Sequence, residues 1–483
     1  MIRLAAVICL LLSTLTVAGQ STADLILING NVRTLDKRNP RAQAVAISAE
    51  RITAVGSNAA VRKLAGSATR VIDAGGRLVL PGFNDAHVHL TGVGNFFSHL
   101  NISEGATATE ITATIARFTR ALPNGRWVLG RGWRATGRLP TVSALDAVSR
   151  DNPVLIYSKD YSLGIANSQA LKLAGVVSQT GVITGAELQR VKQHVPQNHA
   201  SAWAQIIETA GNYAASLGVT SVQDVHSDDL YELLLKLTEQ GKLKVRVYDC
   251  IGIGERKKAI AAGLRAAQGT PMVRRGCVKG MADGDTVEVE ELQREVAEAD
   301  AAGLQVMVHA IGQRSNANIL TAFEGVIAAN GKRDRRFRVE HAARMNGSDT
   351  PRFARSGIVA SMQPQLFYSG ALSGDDYRRI FDASTPVAFG SDSSMIDLDP
   401  MPGIHAAVNS GPRSITVEEA VRAYTIGSAY AEFQEGIKGT LEVGKLADFV
   451  ILSEDIFDID PMKIRDAKVL TTVFDGKVVF ENK

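Results

Sequence analysis

Eight short apolar runs of β type, separated by stretches of helical periodicity, set the tightest limit on how this chain can fold. The runs cover residues 83–90, 219–225, 245–251, 277–282, 304–310, 337–342, 358–363 and 387–391. Residues 289–302 show the intervening pattern well, with acidic and apolar side chains separating onto two helical faces. Eight strands alternating with helices is the number needed to close a parallel barrel with helices outside. The expected fold class is therefore α/β, a (β/α)8 TIM barrel. More than a hundred residues lie between the first and second runs, far longer than an ordinary βα connection. An inserted subdomain at about residues 95–200 is expected there.

The two ends of the chain have a different texture. Residues 24–80 hold short strand-like runs with turn pairs such as Asn29-Gly30, and residues 436–483 end in a hairpin signal at Asp475-Gly476. Both ends are expected to pair into one small β-sandwich, leaving 81–435 for the barrel and its insertion. The first residues are different again. Arg3 precedes a mostly apolar stretch from Leu4 to Ala18, followed by small residues. That is the tripartite pattern of a cleavable signal peptide, assigned to residues 1–23. The stretch is shorter than the roughly 20 residues a spanning helix needs. A secreted or periplasmic protein without stable membrane insertion is expected. Of three cysteines, only Cys250 and Cys277 would survive cleavage. They do not make a disulfide framework, and buried thiols are the preferred expectation over a bridge. A net charge of +3 and the absence of long Lys/Arg runs speak against a nucleic-acid partner.

Chemistry concentrates at the ends of the proposed strands. His87 and His89 stand two apart in Asp85-Ala-His-Val-His89, and side chains at i and i+2 of a strand point the same way. Neutral imidazoles suit zinc and similar divalent ions. The chain has only nine histidines, and two more, His309 and His341, close the fifth and sixth runs. Asp392 follows the eighth run, as a metal-binding carboxylate and proton acceptor or as a helix cap. Lys279 lies inside the fourth run, where a buried ammonium is costly. Either an ion pair neutralises it, or its amine takes up carbon dioxide to become an anionic carbamate.

With these residues in this order the chain resembles the amidohydrolase superfamily. It is closest to the amidohydrolase-3 group that includes N-substituted formamide deformylases. The phrases that carry the likeness include Leu80-Pro-Gly-Phe-Asn-Asp-Ala-His-Val-His-Leu90, Val308-His-Ala-Ile-Gly312, Arg338-Val-Glu-His-Ala342 and Gly390-Ser-Asp392. The resemblance implies that His87 and His89 bind one divalent ion and His309 and His341 a second, both probed most naturally as zinc. It also implies that N6-carboxylated Lys279 bridges the two ions, and that Asp392 binds metal and serves as general base and acid. The group usually has His where Ser162 stands, a Trp where Ile165 stands and Asp where Gln313 stands. It also has a longer segment after Asp283-Gly284. All of these are expected to touch substrate binding or its lid.

The expected activity is hydrolysis of a non-peptide carbon–nitrogen bond in a small-molecule substrate, by metal-activated hydroxide with Asp392 as base. The alternatives are a mononuclear deacetylase, deaminase or ester hydrolase of the same superfamily, and a periplasmic ligand-binding barrel without turnover. No nucleophile elbow and no Cys beside a His competes. Arg314, Gln363, Tyr161, Tyr368 and Trp133 are candidates for substrate contact, and homo-oligomer formation stays open.

Overall fold

Strands covered on both faces read as nearly continuous apolar runs, and the eight runs form one parallel sheet in the computed structural model of the chain. It describes residues 22–482 apart from 99, 121, 135–138, 150, 197–199, 227–229, 283–288, 367–376 and 394–395. The strands are Phe83–Val88, Val219–Val225, Arg246–Gly252, Val273–Met281, Gln305–Ile311, Arg338–Ala343, Val359–Met362 and Val387–Phe389. They are hydrogen-bonded side by side in chain order. The last strand returns to the first through a parallel bridge between Val88 and Ser393. The sheet is thus a nearly closed barrel. Closure is tight at this seam. A Cβ at Gly390 would lie 2.5 Å from the His87 backbone nitrogen, so only glycine lets the eighth strand approach the first.

Helices cover the barrel as the periodicity predicts. In Val289–Ala301 the residues Leu292, Val296 and Ala299 are buried, at spacings of four and three, while Glu290 and Glu291 occupy the first turn where the helix dipole favours them. One continuous apolar cluster runs from Leu35 and Leu78 through the barrel and its helices to Val469.

Strands from both chain ends share a sheet. Leu78–Pro81 pairs with Phe449–Leu452 in antiparallel register, Val79 opposite Ile451. Asn31–Arg33, Arg41–Ala42, Val469–Phe474 and Lys477–Glu481 extend that sheet to six strands. A four-stranded sheet of Ala23–Ile28, Ala44–Ser48, Arg51–Gly56 and Ala65–Asp73 lies against it. Leu25, Leu27, Val45 and Ile47 of the four-stranded sheet share a buried cluster with Val32, Val79, Phe449 and Val473 of the six-stranded one. The long connection after the first barrel strand carries a third sheet, of five strands, spanning Leu100–Asn101, Val128–Trp133, Val154–Ser158, Leu163–Ala166 and Val182–Thr184. It packs its own apolar clusters, one around Trp133 and Ile156 and one around Leu155 and Leu188.

Two expectations need correction. Cys250 and Cys277 are not separate thiols but form a disulfide. Parallel register places them opposite one another on the third and fourth barrel strands. Their Cα atoms are 4.9 Å apart, inside the range a bridge requires. Ile165, expected near substrate, is fully buried in the core of the five-stranded sheet. Among the described residues no helix is long and apolar enough to cross a membrane. The signal-peptide assignment rests almost wholly on residues 1–21, outside the described ones, as does the segment after Asp283-Gly284.

Candidate metal centre

At the C-terminal ends of the barrel strands three donors converge. Ligand atoms of His87, His89 and Asp392 all lie within 4.8 Å of one another. The Asp392 Oδ1 is 3.2 Å from His89 Nε2 and 3.5 Å from His87 Nε2. The His341 ring centroid is 5.1 Å from that of His87, and His309 stacks edge-on to His341 at 4.4 Å. Lys279, on the neighbouring fourth strand, is close enough for its charge to act on both His87 and His341. Five of the six side chains singled out in the sequence therefore gather at one end of the barrel, with Lys279 within electrostatic reach of two of them.

The backbone bends to bring them there. Between Asp85 and Val88 the first strand holds one residue more than Val222–Asp224 of its neighbour. The sixth strand holds one extra beside Ala310–Ile311. Such bulges re-aim side chains, and here they fall on His87 and on His341-Ala342. His341, Ala342 and Asp392 adopt φ of 70°, 47° and 58°. Left-handed backbone at such residues costs roughly 1–2 kcal/mol each. The surrounding hydrogen bonds hold it: the Asp392 N–H donates to the His87 carbonyl at 2.7 Å and the His89 N–H to the Ser393 carbonyl at 2.5 Å.

A second layer orients the imidazoles. His87 Nδ1 meets Glu340 Oε2 at 2.5 Å, His89 Nδ1 meets the Val225 carbonyl at 2.6 Å, and His341 Nδ1 meets Gln363 Oε1 at 2.6 Å. Each Nδ1 faces an acceptor and so carries the proton, which leaves the Nε2 lone pair for a cation. Glu340 is fully buried and braced by Arg338, which donates from Nε to Oε1 at 2.7 Å and from its second amino group to Oε2 at 3.1 Å. Arg338 also donates to Gln223, the Ala86 carbonyl and Ser361. Asp85, also buried, accepts from the backbone N–H groups of His87 and Ser391 and so ties the first strand to the eighth.

Electrostatics favour a cation. Burial and the Lys279 charge push His87 down to about 4 against the pull of Glu340, and burial and His87 push His341 to about 3. Both rings are neutral at physiological pH and able to ligate. Burial works against ionisation of Asp392, yet the His89 hydrogen bond and the nearby imidazoles hold it down to about 2. His89 differs from His87 and His341: although burial works against its charge, the Asp392 carboxylate raises its pKa. Without a cation its Nε2 shares a proton with Asp392, and a divalent transition ion would take that proton's place between imidazole nitrogen and carboxylate oxygen.

Residues 70–480 match the Amidohydrolase family (Amidohydro_3). The chain belongs to that family. Among its relatives is the Protein LONG AFTER FAR-RED 3 of Arabidopsis thaliana, 30% identical over 97% of this chain and 94% of the relative. The N-substituted formamide deformylase of Arthrobacter pascens is 27% identical over 95% of this chain and 98% of its own. An uncharacterized metal-dependent hydrolase of Pyrococcus horikoshii shares the fold with TM-score 0.77 at 24% identity, over 90% of this chain and 99% of that one. The protein is accordingly a metal-dependent hydrolase of the amidohydrolase superfamily.

The substrate-contact expectations fare unevenly in this amidohydrolase. Trp133 is fully buried and donates its indole N–H to the Ile156 carbonyl at 3.3 Å, so it packs the five-stranded sheet. Gln363 is also fully buried and orients His341. Tyr161 is 47% exposed, with Arg131 donating to its hydroxyl at 2.7 Å. Arg314 is exposed in the first turn of Gln313–Asn330, directly after the strand bearing His309. Tyr368 lies outside the described residues. Ser162, in place of the group's usual His, donates to Asp160 and closes a local turn. Sequence reasoning missed Glu340, Arg338 and Asp85 as supports. Their signal was present: Arg338, Glu340 and the inward face of the sixth strand share one parity, and charged residues on an interior face demand partners.

Proposed function

We propose that this amidohydrolase cleaves a non-peptide carbon–nitrogen bond of a small acylated amine or cyclic amide at the site formed by His87, His89, Lys279, His309, His341 and Asp392. The observation that carries the proposal is Asp392 Oδ1 at 3.2 and 3.5 Å from two imidazole Nε2 atoms whose Nδ1 positions are already engaged. His87, His89 and Asp392 would hold one divalent ion, and His309 and His341 a second. Lys279 would bridge them as a carbamate, in which its amine nitrogen has bonded to the carbon of carbon dioxide and lost a proton. When bound, such ions lower the pKa of water from about 15.7 to about 7 and polarise a carbonyl oxygen. Asp392, ionised at physiological pH, accepts the proton released as water oxygen bonds to the carbonyl carbon. It returns that proton to the leaving nitrogen as the carbon–nitrogen bond breaks, giving an acid and an amine. Glu340 and Gln363 keep His87 and His341 in the tautomer that turns Nε2 toward the substrate side.

A one-ion version of this chemistry has its own support, because His87, His89 and Asp392 by themselves bring three ligand atoms within 4.8 Å of one another. Metal analysis of purified protein separates the two: about two equivalents of zinc per chain fit the binuclear site and one fits the mononuclear site. Hydrolysis is then screened across N-acyl amines, N-acyl amino acids and cyclic amides. Absence of metal together with absence of turnover on every class would overturn the proposal and favour a ligand-binding barrel. Export belongs to the same proposal, supported by the apolar N-terminal stretch and by the Cys250–Cys277 disulfide, which suits an oxidising compartment.

A further inference from the structure

A second polar concavity lies away from the barrel mouth, where the edge of the six-stranded sheet meets the helix Val417–Arg422. It is a cleft of about 210 Å³. Four of its lining side chains are cationic, Arg33, Lys37, Arg41 and Arg422, against two acidic ones, Asp36 and Glu418. The distribution is not one of settled ion pairs. The nearest carboxylate partner of Arg33, Asp455, is 4.0 Å away and already accepts from Asn31 at 2.5 Å. Asp36 faces the outward Arg38 at 3.5 Å. The Arg33 side chain is only 14% exposed and its Nε is buried without a hydrogen-bond partner. A buried guanidinium N–H left unmatched is expensive. Burial and the neighbouring Arg41 lower the Arg33 pKa against the pull of Asp455, Asp458 and Glu418.

The cleft also holds its cations in place. The Arg33 guanidinium stacks 4.4 Å above the Phe457 ring, which fixes its plane. Arg422 donates to the Leu35 carbonyl at 2.8 Å, which ties the helix end to the sheet edge. Arginine side chains with fixed planes present forked donors that match tetrahedral and planar oxyanions. A surplus of positive charge in a walled concavity focuses potential on anions.

We propose that this cleft is a binding site for a phosphate-bearing small anion, recognised by Arg33, Arg41 and Arg422 and separate from the hydrolytic centre. Phosphate supplies the acceptor oxygens and the double charge that three guanidinium groups call for, and the volume admits a phosphate ester of modest size. The test is calorimetric titration of the full chain with inorganic phosphate at fixed ionic strength, in metal-loaded and in chelator-treated protein. Saturable binding is expected in both forms. Each of Arg41→Gln and Arg422→Gln should weaken it about tenfold or more. Arg41 is exposed and its replacement is not expected to disturb folding. Thermal shift gives a second readout: the rise in Tm caused by phosphate should vanish in the doubly substituted protein. Absence of saturable binding overturns the proposal. So does binding unchanged in the double variant, or binding lost only on chelation, which would assign the anion to the metal centre. Malonate bound more tightly than phosphate would overturn the choice of ligand. None of these outcomes depends on hydrolytic activity.

Discussion

The two ends of the barrel both bury charged side chains, yet they resolve the resulting cost in opposite ways. At the N-terminal end Glu432, fully buried, accepts from Arg274, from Lys438 at 2.7 Å and from Asn84 at 2.7 Å. Lys438 also donates to Ser221 at 2.7 Å. Nearby, Arg246 donates to Asp448 at 2.7 and 3.0 Å and to Asp475 at 2.9 Å. Each of these charges meets an opposite one within the protein, and the pairs join the barrel to the strands from the chain ends. At the C-terminal end the protein instead aligns like with like. Several imidazoles face a single carboxylate, and the compensating charge of Glu340 sits one layer behind. A network that neutralises itself is structural cement, whereas donors aimed at a common point need a cation to complete them. The contrast follows the general division of barrel folds, stability at one end and chemistry at the other.

The contrast can be broken most sharply at Asp392. Replacement by Asn should lower kcat by about 10²–10⁴ while the unfolding transition stays near that of the parent. Steady-state rates measured beside a thermal melt decide it, and undiminished turnover would remove the base assignment. The converse experiment belongs at the other end. Glu432→Gln leaves Arg274 and Lys438 facing a neutral partner and should destabilise the fold by about 3–5 kcal/mol. The same variant should leave kcat per folded molecule unchanged. Denaturant titration and active-site titration together would expose a catalytic role if one existed.

A smaller effect is expected in the layer between. Glu340→Gln keeps the shape but weakens the hold on His87, so metal affinity should fall about 10–100-fold. Competition with a chromogenic chelator measures this, and unchanged affinity would show that Glu340 serves only Arg338. The smallest effect is one of pH. Burial lowers Lys438 from 10.5 to about 8 in the folded protein. Between those values the unfolded chain binds more protons at this site than the native one, so this site makes stability rise with pH from about 8 toward 10.5. Stability followed across that window in the parent and in Lys438→Met should show the rise only in the parent. An equal slope in both would place the titration elsewhere.

Much of the fold could be read along the chain because its signals are local. The strand runs at 219–225 and 387–391 are close to the observed Val219–Val225 and Val387–Phe389, since a strand covered on both faces must be apolar throughout. His309 and His341 stood out because both close apolar runs; either alone would read as a satisfied core histidine. Three things did not show. The disulfide depends on which residue of the fourth strand sits beside Cys250, and register is a property of two strands together. Trp133 and Gln363 looked available for substrate, yet their burial is set by sheets and layers formed from distant segments. Ile165, which stands where the group carries a Trp, packs in the core of the five-stranded sheet.

Periodicity and the order of six candidate ligand residues were enough to determine a hydrolase barrel, because hydrophobic alternation and side-chain chemistry are written residue by residue. Only tertiary structure decided where the bulges at His87 and His341 fall, which nitrogen of each imidazole is engaged, and that Glu340 rather than a surface group balances the site. Those features arise when the eighth strand closes on the first, and closure couples residues some three hundred positions apart through geometry that no local window contains.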